Sequence, residues 1–207
     1  MISGPEALQR LQEGNRRFVA NLHEPAVALD ETRRAALALG QQPFAIVLGC
    51  SDSRVPAEIV FGQGFGDLFV IRVAGNIVAP SQIGSVEFAA SLYGTRLAVV
   101  LGHTQCGAVL ATLQELGQGT RQPSPNLRAI VDRIRPAVEP LVSTTRALEP
   151  PELVSQAVRA NIRASVEQLR HGSRILEDLV ARQGLLIVGA EYHLETGAVE
   201  LLGPVPT

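Results

Sequence analysis

Two short apolar runs, each followed at once by a cysteine or a histidine, set the framework of this 207-residue sequence. The first run covers 44–49 and precedes Cys50, and the second covers 97–102 and precedes His103. Runs of this length that are rich in β-branched residues are typical of strands buried in a parallel sheet. Because ligand sites in such sheets lie beyond the carboxyl ends of the strands, we expect Cys50 and His103 at one edge. Cys106 follows His103 by three positions, so the three side chains can close on one metal ion.

Similar patterns predict further strands and helices along the chain. Predicted strands cover 68–73 and 185–190, and predicted helices cover 57–61, 82–93, 107–116, 127–135, 152–170 and 173–183. We therefore predict one α/β domain over 1–207, with a mostly parallel central β-sheet flanked by helices.

Local signals predict how some of these elements begin and end. Ser81 is the expected N-cap of the helix over 82–93, and Pro136 is expected to end the helix that begins at 127. The turn signal at 195–197 lies between two alternating runs, which predicts a short C-terminal hairpin or edge strand.

Residues 1–40 carry two amphipathic helical patterns. The first covers 5–22 and is expected to split or bend near Gly14, and the second covers 28–39. Periodicity leaves two interpretations open: the helices pack on their own sheet, or they form an N-terminal arm that embraces a second subunit.

Charge and hydropathy restrict the classes of partner and location. The 18 basic and 20 acidic residues give a net charge of −2, which offers no electrostatic reason to expect nucleic acid or an anionic membrane as partner. The apolar stretches have strand length, so no transmembrane helix is expected. No signal-peptide pattern is visible, and we therefore expect a cytoplasmic protein, with a removed leader as the open alternative.

The two cysteines of the chain, Cys50 and Cys106, both lie in the motifs described above. A disulfide or two inert buried thiols would be the alternatives to a metal site, and without an export signal a disulfide is disfavoured. Two thiolates and one imidazole suit zinc in tetrahedral geometry and leave a fourth position open. The start of a predicted helix at Cys106 favours its thiolate, and His193 is the one further histidine to examine as a ligand.

Asp52 and Arg54 follow Cys50 closely. Asp52 is placed to accept a hydrogen bond at the open position of the metal. Arg54 can pair with Asp52 in bidentate fashion and hold it ionised and away from the metal. The alternative is an ordinary ion pair in a loop.

At these residues the chain resembles the β-class carbonic anhydrases. Residues 50–54 are similar to the family's CxDxR motif and residues 103–107 to its HxxCG motif. Further similar segments are 70–76, 84–88 and 189–197, and the likeness extends from about residue 5 to residue 200.

The resemblance implies one Zn(II) per subunit, held by Cys50, His103 and Cys106. It also implies that Asp52 and Arg54 form the catalytic dyad. The reaction would be the reversible hydration of CO₂ to bicarbonate and a proton by zinc-bound hydroxide.

The plant-like branch of the family places further residues around the substrate. The corresponding residues here are Gln41, Phe69, Ala74, Phe88 and the backbone N–H of Gly107. Many members carry tyrosine where this chain has Phe88, so we expect any role of that hydroxyl to be lost. The family forms dimers, or dimers of dimers, with the pocket at the subunit interface, and this favours the interpretation of residues 1–40 as a dimerisation arm.

Two other functions stay open at this point. Relatives on the same scaffold hydrolyse CS₂ or COS and would share the zinc site. A non-catalytic, zinc-stabilised structural or regulatory protein would be expected to carry a damaged Asp–Arg pair, whereas Asp52 and Arg54 are both present.

Overall fold

The computed structural model describes residues 2–22, 31–118, 124–144 and 149–203. Within these residues the sheet has five strands in the order β2-β1-β3-β4-β5. The first four are parallel, and β5 pairs antiparallel with β4 at one edge. The strands are β1 (Ala45–Gly49), β2 (Leu68–Arg72), β3 (Leu97–His103), β4 (Leu186–Tyr192) and β5 (Val199–Leu201). The predicted fold class is confirmed, including the C-terminal edge strand.

Helices cover both faces of the sheet. They are α1 (Gly4–Val19), α2 (Glu31–Leu37), α3 (Ala57–Val60), α4 (Pro80–Leu92), α5 (Gly107–Gln118), α6 (Pro125–Thr144), α7 (Pro150–His171) and α8 (Arg174–Gln183). Successive strand residues point to opposite faces, so Ile46 and Leu48 join a core with helices α4 to α8. Ala45 and Val47 join a second core with α1 and α3. None of the described helices combines the length and apolar character that a bilayer crossing requires.

Helix α1 is continuous from Gly4 to Val19, so a split near Gly14, one of the two predicted outcomes there, does not occur. A capping box between Ser3 and Glu6 starts the helix. Gly14 is needed for a different reason, because a Cβ atom there would lie 1.8 Å from the carbonyl oxygen of Phe61. The glycine therefore lets α1 approach the end of α3 at backbone contact distance.

Asn15 fastens the same helix to distant parts of the chain. Its side-chain amide donates to the carbonyl oxygens of Val60 at 3.0 Å and Gly197 at 2.9 Å. Its side-chain oxygen accepts the backbone N–H of Val199 at 2.9 Å. Asn15 is buried, so these bonds satisfy a polar group that would otherwise destabilise the fold.

Two predicted helix boundaries are wrong. Ser81 lies inside α4, which begins at Pro80, a favoured residue for the first helical position. Helix α6 continues through Pro136 to Thr144, and its buried residues Ile134 and Val138 keep both sides of the proline on the core. The second predicted helix corresponds to α2, and the part of that prediction over 28–30 lies outside the described residues.

Candidate metal centre

The sheet brings the three predicted ligands together. Cys50 follows β1, His103 ends β3, and these two strands are direct neighbours. Cys106 lies just before α5. The ligand atoms of the three side chains all lie within 4.8 Å of one another, and all three residues are buried. The geometry is thus that of a compact site with two sulfur donors and one nitrogen donor.

His103 is oriented for coordination through Nε2. Its Nδ1 lies 2.9 Å from the carbonyl oxygen of Thr104, so Nδ1 carries the proton and donates it. Nε2 therefore presents a lone pair, yet it is buried and has no hydrogen-bond partner among the described residues. A buried polar atom left unsatisfied costs stability, and a metal ion would satisfy this one. The donor set fits zinc on this ground.

The two thiols differ sharply in acidity. Hydrogen bonding from Cys106, helped by the backbone N–H groups of Asp52 and Gly75, lowers the pKa of Cys50 to about 4. The Cys50 thiolate beside it, together with burial, raises the pKa of Cys106. The backbone N–H groups of Ala108 and Val109 at the start of α5 lower the pKa of Cys106, in the direction that the sequence predicted, but the Cys50 thiolate and burial outweigh them. Two thiolates side by side repel each other, so ionisation of the second thiol requires a cation between the two sulfur atoms.

Asp52 and Arg54 form the predicted bidentate pair. The Arg54 guanidinium donates through Nε to Oδ1 at 2.9 Å and through Nη2 to Oδ2 at 2.7 Å. The backbone N–H of Arg54 adds a third bond to Oδ1 at 3.0 Å. These bonds from Arg54 hold the pKa of Asp52 well below its usual range. Oδ2 lies 3.8 Å from Nε2 of His103, so a charged acceptor stands beside the three donors.

Two contributors to this site were not identified from the sequence. Arg72, at the end of β2, donates to the backbone carbonyls of Cys50 at 3.1 Å and Asp52 at 2.6 Å, which fixes the turn between them. Gly75 donates its N–H to the Cys50 sulfur at 3.3 Å from a backbone with φ of 69°. That left-handed conformation favours glycine. The only available signal was the Arg-Val-Ala-Gly-Asn segment at the end of a strand.

His193 does not join the three candidate ligands. Its Nε2 lies 3.4 Å from a carboxylate oxygen of Glu200, in a group that also contains buried Glu191. Arg159 donates to both carboxylates, at 2.7 Å and 2.8 Å. Arg159 balances one of the two negative charges, and we interpret the group as an ion-pair network that ties α7 to the last two strands.

The predicted pocket residues fall into two groups within one chain. Ala74 adjoins Gly75 beside Cys50, and Gly107 is the first residue of α5. Phe69, by contrast, pairs in register with Ile46, four residues before Cys50, which places its backbone about 13 Å from the metal edge.

The remote group also includes Gln41 and Phe88. Phe88 contacts Phe69 through their rings, with a centroid separation of 6.2 Å. Tyr93 contacts both of these rings and accepts a hydrogen bond from Gln41. A single subunit therefore does not bring Gln41, Phe69 and Phe88 to its own three ligands.

Comparison with known proteins places this geometry in a family. The carbonic anhydrase family model matches residues 45–199. The carbonic anhydrase of Mycolicibacterium smegmatis is 42% identical over 197 residues, which cover 94% of this chain and 91% of the relative. Carbonic anhydrase 2 of Mycobacterium tuberculosis is 39% identical over 196 residues, with the same coverage of 94% and 91%.

Solved structures agree with the sequence relatives. One of the two tetrameric β-carbonic anhydrases of the filamentous ascomycete Sordaria macrospora superposes with a TM-score of 0.75 at 25% identity. The match covers 84% of this chain and 87% of the fungal chain. The match of fold, of sequence over nearly the whole chain and of the family model leads to one conclusion: this chain belongs to the β-class carbonic anhydrases.

Proposed function

We propose that this protein catalyses the reversible hydration of CO₂ to bicarbonate and a proton, with one zinc ion per subunit held by Cys50, His103 and Cys106. The observation that carries the proposal is the fixed Asp52 carboxylate, 3.8 Å from the unpartnered Nε2 of His103. A site that served only to stabilise the fold would have no use for a charged acceptor held beside its ligands.

When bound, zinc supplies the Lewis acidity that makes water a nucleophile near neutral pH. Residues of the chain orient the reactants and line the pocket. Asp52 accepts a hydrogen bond from the attacking water and orients it toward CO₂. Arg54 keeps Asp52 charged and turned toward the site, and Arg72 holds the intervening turn. The backbone N–H of Gly107 faces the substrate oxygen, and Ala74 provides apolar lining.

The remote pocket residues support a shared active site. Gln41, Phe69 and Phe88 would line the pocket of a neighbouring subunit, as in the plant-like branch. Several exposed apolar side chains near them would be covered by a dimer. These side chains are Leu39, Phe65, Phe88 and Leu92, between 49% and 94% exposed in the single chain.

Larger assembly and location are part of the same proposal. Helix α1 packs on its own sheet, so the rest of residues 1–40 would wrap around the neighbour as the dimerisation arm, and two dimers would join as a tetramer. The Sordaria macrospora relatives described as tetrameric support this assembly. A cytoplasmic location agrees with two free cysteines, because that compartment keeps thiols reduced.

The test is the initial rate of CO₂ hydration by the zinc-loaded protein from about pH 6.5 to 9, a range that brackets the acidity expected of water on zinc. We expect a rate above background that rises with pH, and a background rate from the metal-free protein. A background rate from the loaded protein at every pH would reject the proposal, and CS₂ and COS would then be assayed as substrates.

A further inference from the structure

Gln41 is held in place by the turn that follows α4. Its side-chain amide donates to the hydroxyl oxygen of Tyr93 at 3.0 Å. In the same turn, the Thr95 hydroxyl donates to the carbonyl oxygen of Pro43 at 2.7 Å, in a buried position. The segment that carries Gln41 is therefore fixed twice, once through its backbone and once through the Gln41 side chain.

The ring of Tyr93 is itself fixed by two others. Its centroid lies 5.6 Å from that of Phe88, in an edge-to-face arrangement, and 6.1 Å from that of Phe69. Edge-to-face packing is a favoured geometry that restricts the ring. The hydroxyl of Tyr93 thus stands at a defined point beside all three remote pocket residues.

The hydrogen bond between the two residues determines which donors are left over. The Tyr93 oxygen accepts from Gln41, so the phenolic proton is available to donate outward. The Gln41 amide retains its second N–H. Both residues line an open hollow of about 690 Å³, which Arg34 also lines. Two neutral donors and a nearby cation suit an oxygen of a small oxyanion such as bicarbonate.

We infer that Tyr93 is a positioning residue for the substrate pocket. Its hydroxyl fixes the orientation of the Gln41 amide, and the pair presents its remaining donors to an oxygen of bicarbonate. Tyr93 thereby supplies a hydroxyl to a pocket that lacks one at Phe88. The inference rests on the proposed function, since Gln41 meets substrate only in the shared pocket.

Tyr93→Phe is the direct test, because it removes one oxygen atom and keeps the ring packing. We expect kcat/KM for bicarbonate dehydration to fall about three- to ten-fold, the effect of one lost hydrogen bond. The loss should appear mainly in KM, because the bond orients a binding group. Ser85→Ala is the matched control, since it removes a hydroxyl that donates within α4 to Ser81.

Bicarbonate binding gives a readout that does not need turnover. Sodium bicarbonate should raise the thermal midpoint of the zinc-loaded protein, and Tyr93→Phe should need a higher concentration for the same rise. Zinc content and oligomeric state should match those of the wild type. Bicarbonate affinity equal in wild type and Tyr93→Phe, or no bicarbonate binding by either, would overturn the inference.

A double-mutant cycle separates positioning from general support. Because Tyr93 positions Gln41 as well as donating its own proton, the loss in Tyr93→Phe combined with Gln41→Ala should be smaller than the sum of the two single losses, expressed as free energies. Additive losses would show that Tyr93 acts independently and would contradict the inference. An inactive wild type would instead count against the proposed function, whereas an active wild type matched by Tyr93→Phe would remove only the role of Tyr93.

Discussion

At the scale of single residues, Asp52 and Cys106 lie in the same site but have separable roles. Asp52 is not one of the three candidate ligands, and Arg54 holds its carboxylate through both oxygens. Asp52→Ala should therefore keep zinc but lower kcat/KM for CO₂ hydration about 100-fold or more, the scale of a lost acid–base group. Zinc content and initial rates measure the two effects on the same sample.

Two further variants serve as controls for that prediction. Ser53→Ala truncates an exposed side chain in the same turn and should keep both zinc and activity. Cys106→Ser should lose zinc, because a ligand is replaced. Full activity of Asp52→Ala would remove Asp52 from the mechanism, and stoichiometric zinc in Cys106→Ser would remove Cys106 from the ligand set.

Asp52 also makes the stability of the protein depend on pH. Arg54 lowers the pKa of Asp52 in the folded state, so the pair stabilises the fold above the unfolded pKa of about 3.9. This contribution is lost as the pH falls below that value. The difference in thermal midpoint between wild type and Asp52→Asn should stay constant from about pH 5 to 7 and shrink below about pH 4. A difference that grows toward acid pH would contradict this assignment.

Sequence reasoning located the residues that adjoin the end of a strand or the start of a helix. Cys50, His103 and Cys106 follow strands or begin a helix, so their meeting point could be predicted from the carboxyl edge of a parallel sheet. Arg72 acts on backbone carbonyls in the turn after the neighbouring strand β1, and no local spacing reveals such a contact. Tyr93 was missed for a similar reason, because its partner Gln41 lies far away in sequence and next to it only in the fold.

At the scale of elements, the contact of α1 with α3 depends on a residue without a side chain. Gly14→Ala would put a Cβ atom 1.8 Å from the Phe61 carbonyl oxygen, and one of the two elements would have to move. We expect a loss of about 3 kcal/mol in the free energy of unfolding, the range of an overpacked core. Chemical denaturation measures this quantity directly.

Gly84→Ala is the matched control on another helix. Apart from the adjoining residues and backbone of α4 itself, no atom in the described part of the chain lies within 4 Å of the Cβ that it would add. The alanine should therefore raise stability by up to about 1 kcal/mol through its helix propensity. Equal effects of the two substitutions would show that the close approach at Gly14 does not limit stability.

The strands of this fold were easier to predict than the helix ends. Buried strands leave continuous apolar runs in the sequence, and β1, β3 and β4 were placed to within one or two residues on that basis. Ser81 and Pro136 are ordinary boundary signals, but Pro80 already starts α4 before Ser81, and packing overrides the signal at Pro136. In α6, Ile134 and Val138 are fully buried on either side of Pro136, and their burial outweighs the local cost of the proline.

At the scale of the whole molecule, the separation of the two pocket groups makes a mixing experiment decisive. Asp52→Ala disables the metal side of a site, and Gln41→Ala disables the remote side. If each pocket is built from both subunits, a mixed dimer contains one intact site. That site combines Asp52 of the Gln41→Ala subunit with Gln41 of the Asp52→Ala subunit. Dissociating and reassociating equal amounts should restore about a quarter of the wild-type sites, given random pairing across a two-fold axis.

The outcome of mixing also discriminates between arrangements. If Gln41 served the metal of its own subunit, every site in the mixture would keep one defect, and the activity would stay at the average of the two variants. Reassociated wild type is the control for losses during handling. The assembly itself could not be predicted from periodicity, because an amphipathic helix looks the same whether it covers its own sheet or a neighbour.

The hydrogen bonds of Asn15 join residues that are synthesised at different times. Gly197 and Val199, which complete the surroundings of this side chain, are among the last described residues. They are synthesised after the parallel strands, at roughly 5–20 residues per second. The first helix is synthesised roughly 10–40 s before Gly197 and Val199, whereas Val60, the third partner of Asn15, is made early. Two of the three hydrogen bonds that fasten α1 through Asn15 can therefore form only late in synthesis.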